Sequence, residues 1–270
     1  MLDGYSEVEI CDAARGQILL PWPNRIRDGV YEFASEPQQL ALTEPTRHNA
    51  IHGLTRWTNW LVAEHAGDRA VLEYALHPQP GYPHTLRLEV EYRLDIQGLT
   101  VSTTATNVGP GACPFGAGAH PYITVGTPTV DSAVLQAPGR TRITNDARGI
   151  PTGTAPVEGG DYDFRQPRPI GGIKLDTAFT DLERGDDGRA RVRLATPDGD
   201  TTATVWMDEQ YRYLMLFTGD PLPKVNRRSL GVEPMTCAPN AFQSGEGLIV
   251  LEPGESSVTT WGIEPSMTDR

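Results

Sequence analysis

From Leu86 to Leu94 apolar side chains fall on every second residue (Leu86, Leu88, Val90, Tyr92, Leu94), with Arg87, Glu89, Glu91 and Arg93 between them. That period predicts a β-strand with one buried and one wet face. Asp95–Gly98 supplies a turn, and Leu99–Asn107 alternates again, so the two runs read as a hairpin. The pattern recurs. Val71–Leu76 is a short strand. Arg191–Ala195 and Thr202–Met207 flank the turn Pro197–Asp200, and Tyr211–Thr218 follows. Leu248–Glu252 and Ser257–Ile263 flank Pro253–Ser256. Gly and Pro interrupt the chain too often for an amphipathic helix longer than two turns. The expectation is an all-β protein, a large sandwich or barrel. Thr141–Pro169, rich in Gly, Pro, Asp and Arg, reads as an irregular surface excursion within one domain spanning 1–270.

Composition narrows the function classes. The chain has 270 residues and a net charge of −12. That balance disfavours binding to nucleic acid, which rests on neutralising phosphates, and disfavours an anionic membrane surface. Its three cysteines, Cys11, Cys113 and Cys237, lack metal-type spacing. They read as reduced thiols of a cytoplasmic protein. No apolar run is long enough to span a bilayer, and the first residues do not resemble a secretory signal.

Several polar positions stand out against the apolar strands. Gly116-Ala-Gly-Ala-His120-Pro-Tyr122 and Gly231-Val-Glu233-Pro each set a titratable side chain directly before a proline, which favours extended backbone. The small residues before His120 permit close approach of another segment. A histidine and a glutamate held this way suit general acid/base work, although a lone histidine in such a place is more often a hydrogen-bonded structural residue. Arg25, after Pro21-Trp-Pro-Asn24, can donate in fork geometry to hydroxyls or anions, or pack its stem on Trp22. His48 and His52 have metal-like i, i+4 spacing only if helical, and Gly53 follows at once, so a metal is not expected. Asp176 precedes an apolar stretch and can also be a turn residue. Trp22, Trp57, Trp60, Tyr82 and Tyr122 lie near these segments, as core residues or as faces for a sugar. Serine-nucleophile and phosphate-loop motifs are missing from the sequence.

Taken in order, Asn24-Arg25-Ile26, Asn49-x-x-His52-Gly53, Gly81-Tyr82-Pro83, Gly118-Ala-His120-Pro-Tyr122, Leu175-Asp176-x-x-Phe179 and Val232-Glu233-Pro resemble the aldose 1-epimerase (galactose mutarotase) family, in its bacterial branch. The resemblance spans nearly the whole chain. It implies a β-supersandwich that interconverts sugar anomers with neither cofactor nor metal. It implies Glu233 as general base and His120 as general acid. Arg25, His52 and Asp176, together with Asn24 and Tyr122, are the implied substrate-binding residues. The expected partner is a small sugar, and the expected state a monomer or weak homodimer. Two departures stand out. Thr177 occupies a position where the family often has His. Family chains also often carry strands ahead of the segment matching Leu2–Tyr5, which predicts an uncovered sheet edge near Arg25. Rival readings are a catalytically silent sugar-binding protein, an epimerase for a phosphorylated or sulfonated sugar served by Arg47, Arg56 and Lys224–Arg228, and a metal-dependent isomerase.

Overall fold

The computed structural model describes residues 2–6, 8–220, 222–224 and 226–267. Among these, two large antiparallel sheets of eight and nine strands make a sandwich, with three two-stranded ribbons added. The nine-stranded sheet contains the expected hairpin, Leu86–Asp95 with Gly98–Asn107, in continuous register from Leu86 opposite Asn107 to Asp95 opposite Gly98. Its inward positions Leu86, Leu88 and Val90 are fully buried. The strands Ala190–Ala195, Thr201–Met207 and Ser256–Met267 lie beside it, the first two close to their predicted bounds and the third longer by four residues at its end. Among the described residues, helical structure is confined to single turns such as Ala241–Ser244.

The eight-stranded sheet runs from Ile18–Leu19 through Gly118–Ala119, Leu230–Met235, Tyr213–Phe217, Asp176–Leu182 and Gly139–Asn145 to Pro151–Pro156. Alternation divides its side chains. Leu214, Leu216, Leu230, Val232 and Phe179 enter the core between the sheets, packed with Val192, Leu194 and Val205 of the other sheet. Met215, Ala178 and Met235 gather in a separate cluster on the opposite face, the side that also carries Glu233, Phe217 and Asp176.

Part of the expected excursion at Thr141–Pro169 is ordinary sheet. Gly139–Asn145 and Pro151–Pro156 form a hairpin on the edge of the eight-stranded sheet. Most of its residues are exposed or half-buried, so no apolar alternation marked it. Arg25 belongs to a two-stranded ribbon, Arg25–Arg27 with Asn49–Ile51, and not to either large sheet. At the near edge of the eight-stranded sheet, Ile18–Leu19 pairs with Gly118–Ala119, and Leu2 bridges to Ile123.

Candidate active site

The site stands on the outer face of the eight-stranded sheet. Gly118 is paired with Met235 and Tyr122 with Gly231, so the register sets His120 across from Glu233. Their side chains meet, His120 Nε2 lying 3.3 Å from Glu233 Oε1. Both are buried, at 4% and 2% exposure. The small residues ahead of His120 do what their size suggests. A Cβ on Gly118 would lie 2.6 Å from Pro23 Cβ, and one on Gly116 would lie 3.2 Å from Pro23 Cδ. The segment carrying Pro23, Asn24 and Arg25 can therefore cross over this strand and deliver Arg25 to the same floor.

Arg25 is fixed by Glu44. Its Nε and Nη2 donate to the two carboxylate oxygens at 2.9 and 3.0 Å, a bidentate pair. Asn49 Nδ2 also donates to Glu44, at 3.1 Å. Gly149 lies against the guanidinium, where a Cβ would come within 2.8 Å of Arg25 Nη1.

His52 follows the partner strand of Arg25. Asn24 and His52 both adopt left-handed backbone, φ 56° and 61°. Their backbones and side chains lock together. His52 N–H donates to the Asn24 carbonyl at 2.9 Å, and Asn24 N–H donates to His52 Nδ1 at 3.2 Å. An acceptor Nδ1 on a neutral imidazole leaves the proton on Nε2. Burial holds His52 well below the ordinary histidine range, reinforced by His120, Arg56 and Arg25. His52 is therefore a neutral Nε2–H donor.

The floor residues surround one cavity of about 480 Å³, lined by Asn24, Arg25, His52, His120, Asp176 and Glu233. That volume falls in the small-molecule range. Glu44, Arg47, Arg56, Trp57, Met215 and Phe217 complete much of its wall. Trp57 is 63% exposed at the rim. Asp176 is half-exposed and lies 3.4 Å from Arg47 Nη1. Residues 11–14 of the N-terminal segment also line the cavity.

The electrostatics of the pair are dominated by burial. Loss of solvent pushes the Glu233 carboxyl up to about 8, with Asp176 adding to the rise and Arg25 opposing it. The same loss pulls His120 down to about 3, with Arg56 and Arg15 contributing. Both groups prefer their neutral forms, as buried groups should. Together they hold one exchangeable proton, whether written as carboxylic acid with imidazole or as carboxylate with imidazolium. Each keeps one buried polar atom without a partner, His120 Nδ1 and Glu233 Oε2.

Six of the seven residues singled out in the sequence come together in this cavity. Tyr122 does not line it. It stacks behind His120 with ring centroids 5.0 Å apart and planes at 7°, while its hydroxyl donates to the Ala13 carbonyl at 3.2 Å. Tyr122 is placed to position His120, not to touch a ligand in this cavity. Thr177 pairs with Leu216 and shares its inward face, one residue and one pleat away from Asp176. The departure from the family pattern at Thr177 therefore lies outside the cavity lining. His48 is exposed and bonded to Asp28, so it forms no metal pair with His52.

His52, His120 and Glu233 do bring three candidate ligand atoms within 4.8 Å of one another. The hydrogen bonding opposes a metal there. Metal-bound histidines donate their second N–H to an acceptor, whereas His52 Nδ1 faces the donor N–H of Asn24.

Sequence reasoning gave no role to Glu44, Met215 or Phe217. Met215 and Phe217 could have been found from register, since they are the cross-strand partners of Glu233 and Gly231. Nothing local marks Glu44, whose role depends on where Arg25 arrives.

A large antiparallel sandwich with a buried histidine–glutamate pair under a polar cavity defines a galactose mutarotase-like protein. The family model described as "Aldose 1-epimerase" matches residues 2–263, and the chain belongs to that family. It is 33% identical over 241 residues to the uncharacterized protein YihR of Escherichia coli, covering 89% of this chain and 75% of that one. Among solved structures, the GalM/aldose epimerase homologue from C. elegans superposes with a TM-score of 0.86 at 18% identity, covering 99% of this chain and 87% of that one. Galactose 1-epimerase from Lactobacillus acidophilus gives 0.79 at 21% identity, with 99% and 84% covered. Family and fold together support a sugar epimerase or mutarotase activity.

Proposed function

We propose that the protein interconverts the α and β anomers of a neutral aldohexose by acid/base ring opening. The observation that carries this is the buried His120–Glu233 contact, 3.3 Å long, on the floor of a cavity that also presents Arg25, His52 and Asp176. An anomeric hydroxyl that donates to Glu233 stabilises the carboxylate and so moves the pair's proton onto His120. Glu233 then takes the O1 proton as His120 gives its proton to the ring oxygen. The C1–O5 bond breaks and C1=O1 forms, giving the open-chain aldehyde. Rotation about C1–C2 presents the other face, and reclosure reverses both transfers. No electrons are gained or lost. His52 Nε2–H, Arg25 and Asp176 hold the remaining hydroxyls so that O5 stays aimed at His120. Each well-placed acid or base contributes about 10²–10⁴-fold.

A neutral substrate is favoured over a phosphorylated or sulfonated one by the pairing of the cations. Arg25 is bound to Glu44, and Arg47 lies near Glu44 and Asp176. Lys224, Arg227 and Arg228 pair with Asp12, with Asp131 and Asp220, and with Asp3. Arg56 keeps a buried Nε without a partner and is the residue an anionic sugar would need.

The test is polarimetry of freshly dissolved α-glucose and α-galactose, with each 6-phosphate as competitor. Catalysed relaxation to the unchanged equilibrium is expected, with the neutral sugar preferred. Glu233→Gln should retain sugar binding by calorimetry and lose at least about 100-fold in rate. Retention of more than about a tenth of the rate would exclude Glu233 as the base. Absence of any acceleration by wild type would leave a silent sugar-binding protein.

A further inference from the structure

Behind His120 lies a second cavity of about 260 Å³, separate in character from the first. It opens between the two sheets at the edge where residues 2–5 and 15–18 cross. Tyr92, Leu99, Val101 and Trp261 of the nine-stranded sheet form one wall, and Ile18 and Tyr122 form the other. A sugar would leave most of its hydroxyls unsatisfied against such walls.

Two charged residues, Arg15 and Asp3, interrupt this apolar lining. Arg15 is 4% exposed, and its Nε has no hydrogen-bond partner. Its Nη2 lies 3.4 Å from Asp3 Oδ2 in an ion-pair contact that does not meet hydrogen-bond geometry. Asp3 is already engaged. Arg228 donates to both its oxygens at 2.8 and 2.9 Å, and Ser229 Oγ donates at 2.7 Å. Two guanidinium groups thus share one carboxylate, and the buried one is the less satisfied. Leaving a buried charge without hydrogen bonds is costly, so such a group calls for something that completes it. Gln17 Oε1, on the same lining, is likewise buried without a partner.

We propose that this cavity is a second ligand site, for a small aryl hydroxycarboxylate whose carboxylate pairs with Arg15 and whose ring lies among Tyr92, Leu99 and Trp261. The adjacent Nε and Nη2 donors of Arg15 match the two oxygens of a carboxylate. The volume, below that of drug-sized pockets, limits the ligand to a compact body. A hydroxyl near the carboxylate satisfies Gln17. The site touches the catalytic pair, because His120 lines both cavities, and Arg15 is linked to His120 through one ring. The Arg15 guanidinium carbon lies 4.7 Å from the Tyr122 ring centre, and Tyr122 stacks on His120. An anion on Arg15 therefore reaches His120 without entering the sugar cavity.

The experiment is calorimetric titration of the full chain with mandelate and with its neutral counterpart mandelamide, at fixed ionic strength. Expected is saturable binding at one site, with mandelate at least tenfold tighter than mandelamide. Arg15→Met should abolish that preference. Leu99→Trp, which fills the cavity from the opposite sheet and leaves the cation in place, should abolish binding of both compounds. Thermal melts confirm that each variant is folded. Arg25→Ala should leave mandelate binding unchanged, because Arg25 lines the sugar cavity and not this one. Absence of saturable mandelate binding at millimolar concentration overturns the proposal. So does equal affinity for mandelamide, binding that survives in a folded Leu99→Trp variant, or loss of binding in Arg25→Ala. None of these outcomes depends on whether the protein is a mutarotase.

Discussion

Burial shifts Glu233 and His120 in opposite directions, and this fixes a pH dependence. With the carboxyl raised to about 8 and the imidazole lowered to about 3, the pair carries one proton throughout the range between. The proposed anomer interconversion needs that one-proton form, because one group must give a proton while the other receives one. Above the higher limit the pair loses its only proton and has no acid. The expected profile of kcat/KM is flat through pH 6.5, the ordinary histidine value, and falls on the alkaline side of about 8. Initial rates from pH 5 to 9.5, corrected for the uncatalysed reaction, check this. An inflection near the ordinary histidine value would mean that His120 titrates as an exposed imidazole, contrary to its burial. At the same scale the sequence was informative about identity and silent about protonation. Two titratable residues before prolines pointed to an acid/base pair. That they touch, and that both are dry, depends on a register between strands more than a hundred residues apart in the chain.

Short elements carry the precision of the site, and Gly53 is the clearest case. It has φ +68°, and a Cβ there would lie 2.0 Å from the Leu20 carbonyl oxygen. The approach is close because Leu54 N–H donates to that same oxygen at 2.7 Å. This contact joins the turn carrying His52 to the strand end that leads to Arg25. Gly67 offers a control, with φ +54° and open space around it. Gly67→Ala should cost about 1 kcal/mol, from backbone strain alone. Gly53→Ala must in addition push two backbones apart, and should cost about 2–4 kcal/mol. It should also lower kcat/KM at least tenfold by moving His52. Thermal melts and polarimetric rates on the two variants measure both effects. Equal costs would show that the turn relaxes freely and does not hold His52. Elements were legible where a long run of alternating or β-rich residues meets the core, as in Leu86–Asp95 and Thr201–Met207. They were not legible in the hairpin Gly139–Asn145 with Pro151–Pro156, whose edge position leaves little apolar pattern to read. The ribbon of Arg25–Arg27 with Asn49–Ile51 is too short for periodicity to mark.

The behaviour of the whole molecule in solution depends on how its sheets end. Exposed edge strands present unpaired N–H and C=O groups that can template association. Among the described residues, the large sheets have four ends. Ile18–Leu19 and Arg168–Pro169 are two residues long, and Pro151–Pro156 begins and ends with proline. These are poor templates. Leu61–Ala66 is the exception: six residues, all exposed, with Leu61 at 66% and Val62 at 58%. Two features oppose pairing there. The register shifts between Val62 and Glu64, which bends the strand. Glu64 sets a charge in the middle of the edge, ion-paired with Arg69. The net charge of −12 adds long-range repulsion between copies. The protein should therefore sediment as a monomer at micromolar concentration. Glu64→Val removes the charge and raises β-propensity while leaving the sugar cavity untouched. It should produce concentration-dependent association that Val62→Lys reverses. Sedimentation velocity at low and moderate salt reads both variants. A wild-type dimer, or a Glu64→Val variant that remains monomeric at tens of micromolar, would show that something other than this edge governs assembly.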